Sequence, residues 1–196
     1  MSGSPLGSLK IAEEHLIVPK AGEQVSGDAA VFRTVGGVVL FAVIDALGHG
    51  PRAAEVAETG VAYLREASLE QDAAALMQGL HRSLAQSRGA AAMICRWQAG
   101  RLQGCGVGNV ELASLRTKVP VVLTPGIVGG NVRVFRPFEG PAGSSSRFVV
   151  YSDGISSRFS NEEIGILPRS VACRHIMEKH RKPHDDATVM VVDVEG

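Results

Sequence analysis

Residues 38–51 read VVLFAVIDALGHGP, and this stretch decides the fold. Val38 to Ile44 is an unbroken apolar run rich in β-branched residues. Such a run predicts a strand buried on both faces, central in a sheet rather than washed by solvent on one side. Asp45 closes the run. A carboxylate at the end of a buried strand is costly unless something compensates it, and a bound cation is one compensation. Gly48-His49-Gly50 then predicts a turn, with Pro51 at the first position of a helix.

Working outward, residues 29–35 form a second β-branched run, separated from the first by Gly36-Gly37. That spacing predicts a β-hairpin. Apolar periodicity predicts helices over 51–68, 71–86 and 168–180. Short strands are predicted over 9–18, 91–97, 102–107, 110–115, 119–123, 131–135, 148–151 and 188–194. Gly104, Gly106 and Gly108 fall inside or beside these strands and predict bulges or close backbone approach. The order lacks the regular βαβ alternation of a parallel sheet. It predicts an α+β fold of mostly antiparallel sheets with helices packed outside them.

Residues 1–8, MSGSPLGS, read as an expression-tag remnant, with no basic segment leading into an apolar one as in a signal peptide. Residues 9–196 are expected to form a single domain. Hydrophobic residues make up 45% of the chain, which predicts a globular protein rather than a disordered one. Twenty Lys and Arg balance 20 Asp and Glu, so no general attraction to nucleic acid or an anionic membrane is expected. No apolar run reaches the roughly 18 residues of a membrane span, so a cytoplasmic location is expected. Cys95, Cys105 and Cys173 are odd in number and lack C-x-x-C spacing. They read as buried small hydrophobes in a reducing compartment, not as a disulfide framework or zinc site.

Three further segments place aspartate near strand ends: Gly27-Asp28, Ser152-Asp153-Gly154 and His184-Asp185-Asp186-Ala187-Thr188. Each alone reads as a turn or a cap. Taken with Asp45, they gather carboxylates that would repel one another in a low-dielectric site. Magnesium or manganese would relieve that repulsion, since both prefer oxygen ligands. Two such ions about 4 Å apart can clamp a phosphate and lower the pKa of a water between them. A metal-dependent hydrolase of phosphate esters is therefore expected. Cys95 falls mid-strand, and no Cys-His or Gly-x-Ser-x-Gly element offers a protein nucleophile. His49 could protonate a leaving oxygen, cap the following helix or orient Asp45. Arg33 reads as a solvent-facing charge on a strand, and Trp97 and Tyr63 are too isolated to form a stacking platform for nucleic acid.

In this order, from about Glu23 to Val194, the four segments resemble the PPM (type 2C) serine/threonine phosphatases. The likeness is greatest to their compact bacterial branch, typified by SpoIIE, RsbU and RsbX. Short length and Gly106-Val107-Gly108-Asn109-Val110 look most like RsbX. The resemblance implies an α-β-β-α sandwich of two mostly antiparallel sheets flanked by helices. It implies two ions, Mn2+ or Mg2+, held by Asp28, Asp45, Asp153, Asp185 and the backbone carbonyl of Ala46. Asp45 would bridge them. Asp45, Asp153 and Asp185 would act through metal-activated water in a single displacement, with His49 as a further candidate. Asp186 and Gly154 would stand behind the ligands. Ala46 departs from the glycine common at this place, and Arg33 is no match for the phosphate-gripping arginine of eukaryotic members. The implied partners are phosphorylated STAS-domain proteins of the stressosome, like RsbS and RsbR. The alternatives are an RsbU- or SpoIIE-like phosphatase of an anti-anti-sigma factor, a catalytically weak binding module, and a hydrolase of a small phosphorylated metabolite.

Overall fold

The computed structural model describes residues 9–196, so the tag reading of residues 1–8 lies outside the described residues. In chain order the elements are β1 (Lys10–Val18), β2 (Asp28–Val35), β3 (Val38–Ala46), α1 (Pro51–Glu66), α2 (Ala73–Ser83), β4 (Ala90–Gln98) and β5 (Arg101–Val107). β6 (Glu111–Leu115), β7 (Leu123–Thr124), β8 (Pro137–Pro141), β9 (Arg147–Tyr151), α3 (Asn161–Ile166), α4 (Arg169–His180) and β10 (Ala187–Glu195) follow. One sheet runs β1-β10-β9-β6 and the other β2-β3-β4-β5-β7, with β8 also pairing β5. Every pairing is antiparallel except β5 with β7.

The expected burial of β3 on both faces accounts for the layering. Val39, Phe41 and Val43 point into the core between the sheets, against Met93, Phe148, Val150 and Met190. Leu40, Ala42 and Ile44 point the other way, into a core with Leu64 of α1 and Leu76 and Leu80 of α2. A third core joins Val149 and Val191 to Ile164 of α3 and Ile176 of α4. The result is an α+β sandwich in four layers, helices outside and two sheets within. Gly36 and Gly37, both with positive φ, close the β2–β3 hairpin. At Gly104 a Cβ would lie 2.2 Å from the ring of Phe138, the close approach expected of a glycine in a strand. All three cysteines are free and buried. Among the described residues no helix is long and apolar enough to cross a membrane.

Three sequence expectations are corrected. The strand expected over 119–123 shrinks to β7, and none forms over 131–135. The reason is edge supply: the outer edge of β5 is divided between β7 at Gly106 and Val107 and β8 at Arg101 to Cys105. Val132 and Phe135 pack instead against the core under α1 and α2. Helix α3 was not expected, although Ser160 accepts from the Glu163 amide and Glu162 and Glu163 fill the first turn. Arg33 does not face solvent as a free charge. Its Nη1 donates to the carbonyls of Leu64 (3.1 Å) and Ala67 (2.6 Å), placing a cation on the negative end of α1.

The second sheet face is pinned by a buried charge. Arg147 forms a two-pronged pair with Asp193, at 2.6 and 2.7 Å. Its remaining donor reaches the carbonyls of Ile164 and Leu167, fixing the end of α3 over the sheet. Without Arg147, Asp193 would keep only the longer contact to Arg169 at 3.4 Å, too little to balance a buried charge. Arg147→Ala is therefore expected to cost about 3–5 kcal/mol in chemical denaturation, where a conventional surface arginine would cost under about 0.5 kcal/mol.

Candidate metal centre

The sheet ends bring the sequence-expected aspartates together. Asp28 and Asp45 stand directly opposite each other, the first residue of β2 against the penultimate residue of β3. Like charges directly opposed across a strand pair repel. Asp28 is 5% exposed, and its Oδ2 accepts from the Ser152 hydroxyl at 2.6 Å. That hydroxyl in turn accepts from the Thr188 amide, so one serine at the end of β9 ties β10 to β2. The next residue, Asp153, accepts from Asn109 Nδ2 at 2.6 Å. Its own carbonyl accepts from Lys182 Nζ at 2.5 Å.

Neighbouring Asp185 and Asp186 have different positions. Asp186 is 3% exposed. Its two oxygens accept from the amides of Lys20 and Gly27, both at 2.8 Å. It clamps the segment between β1 and β2 to the start of β10. Asp185 is half-buried, and its Oδ1 accepts from the Asp186 amide. Gly154 packs so tightly that a Cβ would sit 1.8 Å from the Asp186 carbonyl oxygen. The Ala46 methyl is buried in the core under the helices, while its carbonyl oxygen lies 3.4 Å from where a Gly27 Cβ would be.

The electrostatics show that these groups share one field. Burial, then Asp28, Asp153, Asp185 and Asp186 in turn, push the Asp45 carboxyl up to about 8. Burial pushes Asp28 up to about 7 against the pull of the Ser152 hydroxyl. Asp153 is raised by burial and by Asp185, with Lys182, Asn109 and His184 opposing. Among the described residues, no three His, Cys, Asp or Glu side chains already converge closely enough to hold an ion by themselves. The donor set nevertheless suits a hard divalent cation: all carboxylate and carbonyl oxygen, no thiolate, and several acids that resist ionising together.

His49 lies in the turn before α1, and its Nδ1 donates to Glu23 Oε1 at 2.7 Å. The cap of α1 is Gly50, with no side-chain capping bond. His184 is exposed near Asp153. Glu23, Asn109, Ser152 and Lys182 were given no role by sequence reasoning. Their signals were faint: Ser152 and Asn109 sit inside quoted motifs, and Lys182 stands three residues before Asp185.

No protein-family model matches this chain, and no curated protein does. Solved structures do. One, described as "The bacterial stressosome: a modular system that has been adapted to control secondary messenger signaling", is 31% identical over 93% of this chain and 99% of its own, with a TM-score of 0.87. RsbX in complex with magnesium is 18% identical over 94% of this chain and 96% of its own, at a TM-score of 0.83. The catalytic domain of the serine/threonine phosphatase PstP, in complex with 2 manganese ions, is 16% identical over 96% of this chain and 100% of its own, at 0.72. The fold is that of the PPM-type (type 2C) phosphatases. The chain belongs to that family, in the bacterial branch that includes SpoIIE, RsbU and RsbX.

A pH dependence follows. The raised Asp28 and Asp45 favour the protonated forms in the folded chain, so their stabilising contribution is full below about pH 4 and is lost as pH rises through 7 to 8. Metal-free protein is expected to melt lower at pH 8 than at pH 5.5, and Mn2+ or Mg2+ to raise the melting temperature more at pH 8. Asp45→Asn should melt above the parent at pH 8 without metal and gain less from it. A metal-free melting temperature that is flat or rising over this range would contradict the shared field.

Proposed function

We propose that this protein is a metal-dependent phosphoserine/phosphothreonine phosphatase of the RsbX kind, acting in the cytoplasm on phosphorylated STAS-domain scaffold proteins. The observation that carries the catalytic reading is the opposed pair Asp28 and Asp45, with Asp28 bonded to Ser152, the residue before Asp153. When bound, two Mn2+ or Mg2+ ions supply neutralising charge, Lewis acidity and an activated water at the phosphate. Asp153 and Asp185 would hold one ion, Asp28 with the Ala46 carbonyl the other, and Asp45 would be shared by both. Asn109 and Ser152 orient the carboxylates they touch, and Asp186 holds the strand ends in register. His49, whose Nδ1 bonds Glu23 on an exposed turn, would pass a proton at the rim.

Support for the substrate class comes from the 31% identical relative, whose structure is described under the stressosome and which matches over nearly all of both chains. The RsbU- and SpoIIE-like reading, a phosphatase of anti-anti-sigma proteins, shares the same chemistry. Hydrolysis of a chromogenic phosphate ester is expected to require added manganese or magnesium. Asp45→Asn and Asp153→Asn should each abolish it, while Asn109→Ala should lower it about 10- to 100-fold by loosening Asp153. Activity that survives chelation overturns the metal reading. Phosphate release from phosphorylated scaffold STAS domains should exceed release from anti-anti-sigma STAS proteins; equal rates would remove the RsbX-like assignment and leave the phosphatase one.

A further inference from the structure

A groove beside the metal centre comprises two adjoining hollows. The nearer, about 440 Å³, is walled by Leu47, Asn109 and Ile127. The farther, about 500 Å³, carries Arg133 and Arg136. The two share Pro125 and Gly126 in their walls, so they lie side by side. Asn109 donates to Asp153, and Leu47 lies two residues beyond Asp45, so the near hollow adjoins the aspartate segments. At the far end both arginines are exposed. No carboxylate lines that hollow. Among the described residues neither guanidinium joins an ion pair.

We propose that this groove takes an acidic stretch of polypeptide flanking the phosphorylated residue, with Arg133 and Arg136 as specificity-determining contacts; this rests on the phosphatase reading above. The chain has equal numbers of acidic and basic residues, so two unpaired arginines in one hollow are a local excess of positive charge. Between them and the aspartates the walls are apolar: Leu47 is 40% and Ile127 36% exposed. Apolar walls ending in two guanidiniums suit an extended peptide whose carboxylates pair with arginine forks. A peptide advances about 3.3 Å per residue, so acidic residues a few positions from the phosphate reach the far hollow, whereas a small aryl phosphate does not. The frame is held rather than loose. Val128 exchanges both backbone bonds with Ala90, the Gly129 amide donates to His81 Nδ1, and the Arg136 amide donates to Thr124 Oγ1.

The test compares the full chain with its Arg133→Glu/Arg136→Glu variant. Three substrates are used: an aryl phosphate, a phosphoserine peptide flanked by Asp and Glu, and the same peptide with Lys in their place. Expected are aryl phosphate rates within about twofold of each other, a loss of at least about tenfold in kcat/KM for the acidic peptide, and a gain for the Lys peptide in the variant. Peptide binding by fluorescence anisotropy is measured alongside. Turnover blind to peptide charge, or equal losses on all substrates, overturns the groove assignment. Charge-dependent binding that the variant reverses, with no turnover of any substrate, upholds the groove and overturns the phosphatase reading.

Discussion

Two carboxylates facing each other across adjacent strands set the terms for this molecule. Asp28 and Asp45 are opposed at the end of a sheet that is apolar through both faces. Asp28 is buried and Asp45 only partly exposed, so water screens the repulsion incompletely, and Asp153, Asp185 and Asp186 add to it. A protein that needed only stability would not keep such a group. The surrounding structure holds the strain in place instead of relieving it. Ser152 bonds Asp28, Asn109 bonds Asp153, and the lysine at 182 bonds a backbone carbonyl rather than a carboxylate. The cluster is left electron-rich and positioned, which is the condition for binding cations of high charge density.

Rigidity around the cluster comes from the two-sheet core and from two carboxylates with structural partners. Asp186 spends both oxygens on backbone amides from the segment before β2. Asp193 is paired with Arg147 and holds α3 over the second sheet. Asp185 sits in the bend closed by its amide's bond to the Lys182 carbonyl, while Asp186 leads directly into β10, so adjacent carboxylates meet different surroundings.

The layered fold was legible because β3 is apolar at every inward position of both faces, and a run like that has few other solutions. The hairpin at Gly36-Gly37 and the helix after Pro51 followed from local backbone preferences. The aspartates were legible through their order along the chain. What could not be read was the stretch from Arg116 to Pro141, where Gly and Pro dominate and alternation at 131–135 mimics a strand. Whether such a segment pairs depends on a free sheet edge, and the edge of β5 was already taken. Asn109 and Lys182 were missed for a related reason: their bonds to residue 153 span 44 and 29 residues and exist only once the sheets pack. Helix α3 was a different failure, since Ser160 and Glu163 are an ordinary cap signal in six residues too few to show a period.

Strand β10 lies between β1 and β9, and its pairing runs from Lys10 opposite Glu195 to Val18 opposite Ala187. The first described strand thus waits for nearly the whole chain to be synthesised before its partner exists. So do Asp185, Asp186 and the amide of Thr188 that steadies Ser152. During translation the hairpin carrying Asp28 and Asp45 can fold early, from local pairing, but the cluster around it stays open. Closure over such long sequence separation is slow compared with hairpin formation. The opposed pair therefore forms first, and the remaining carboxylates join it only when β10 is in place.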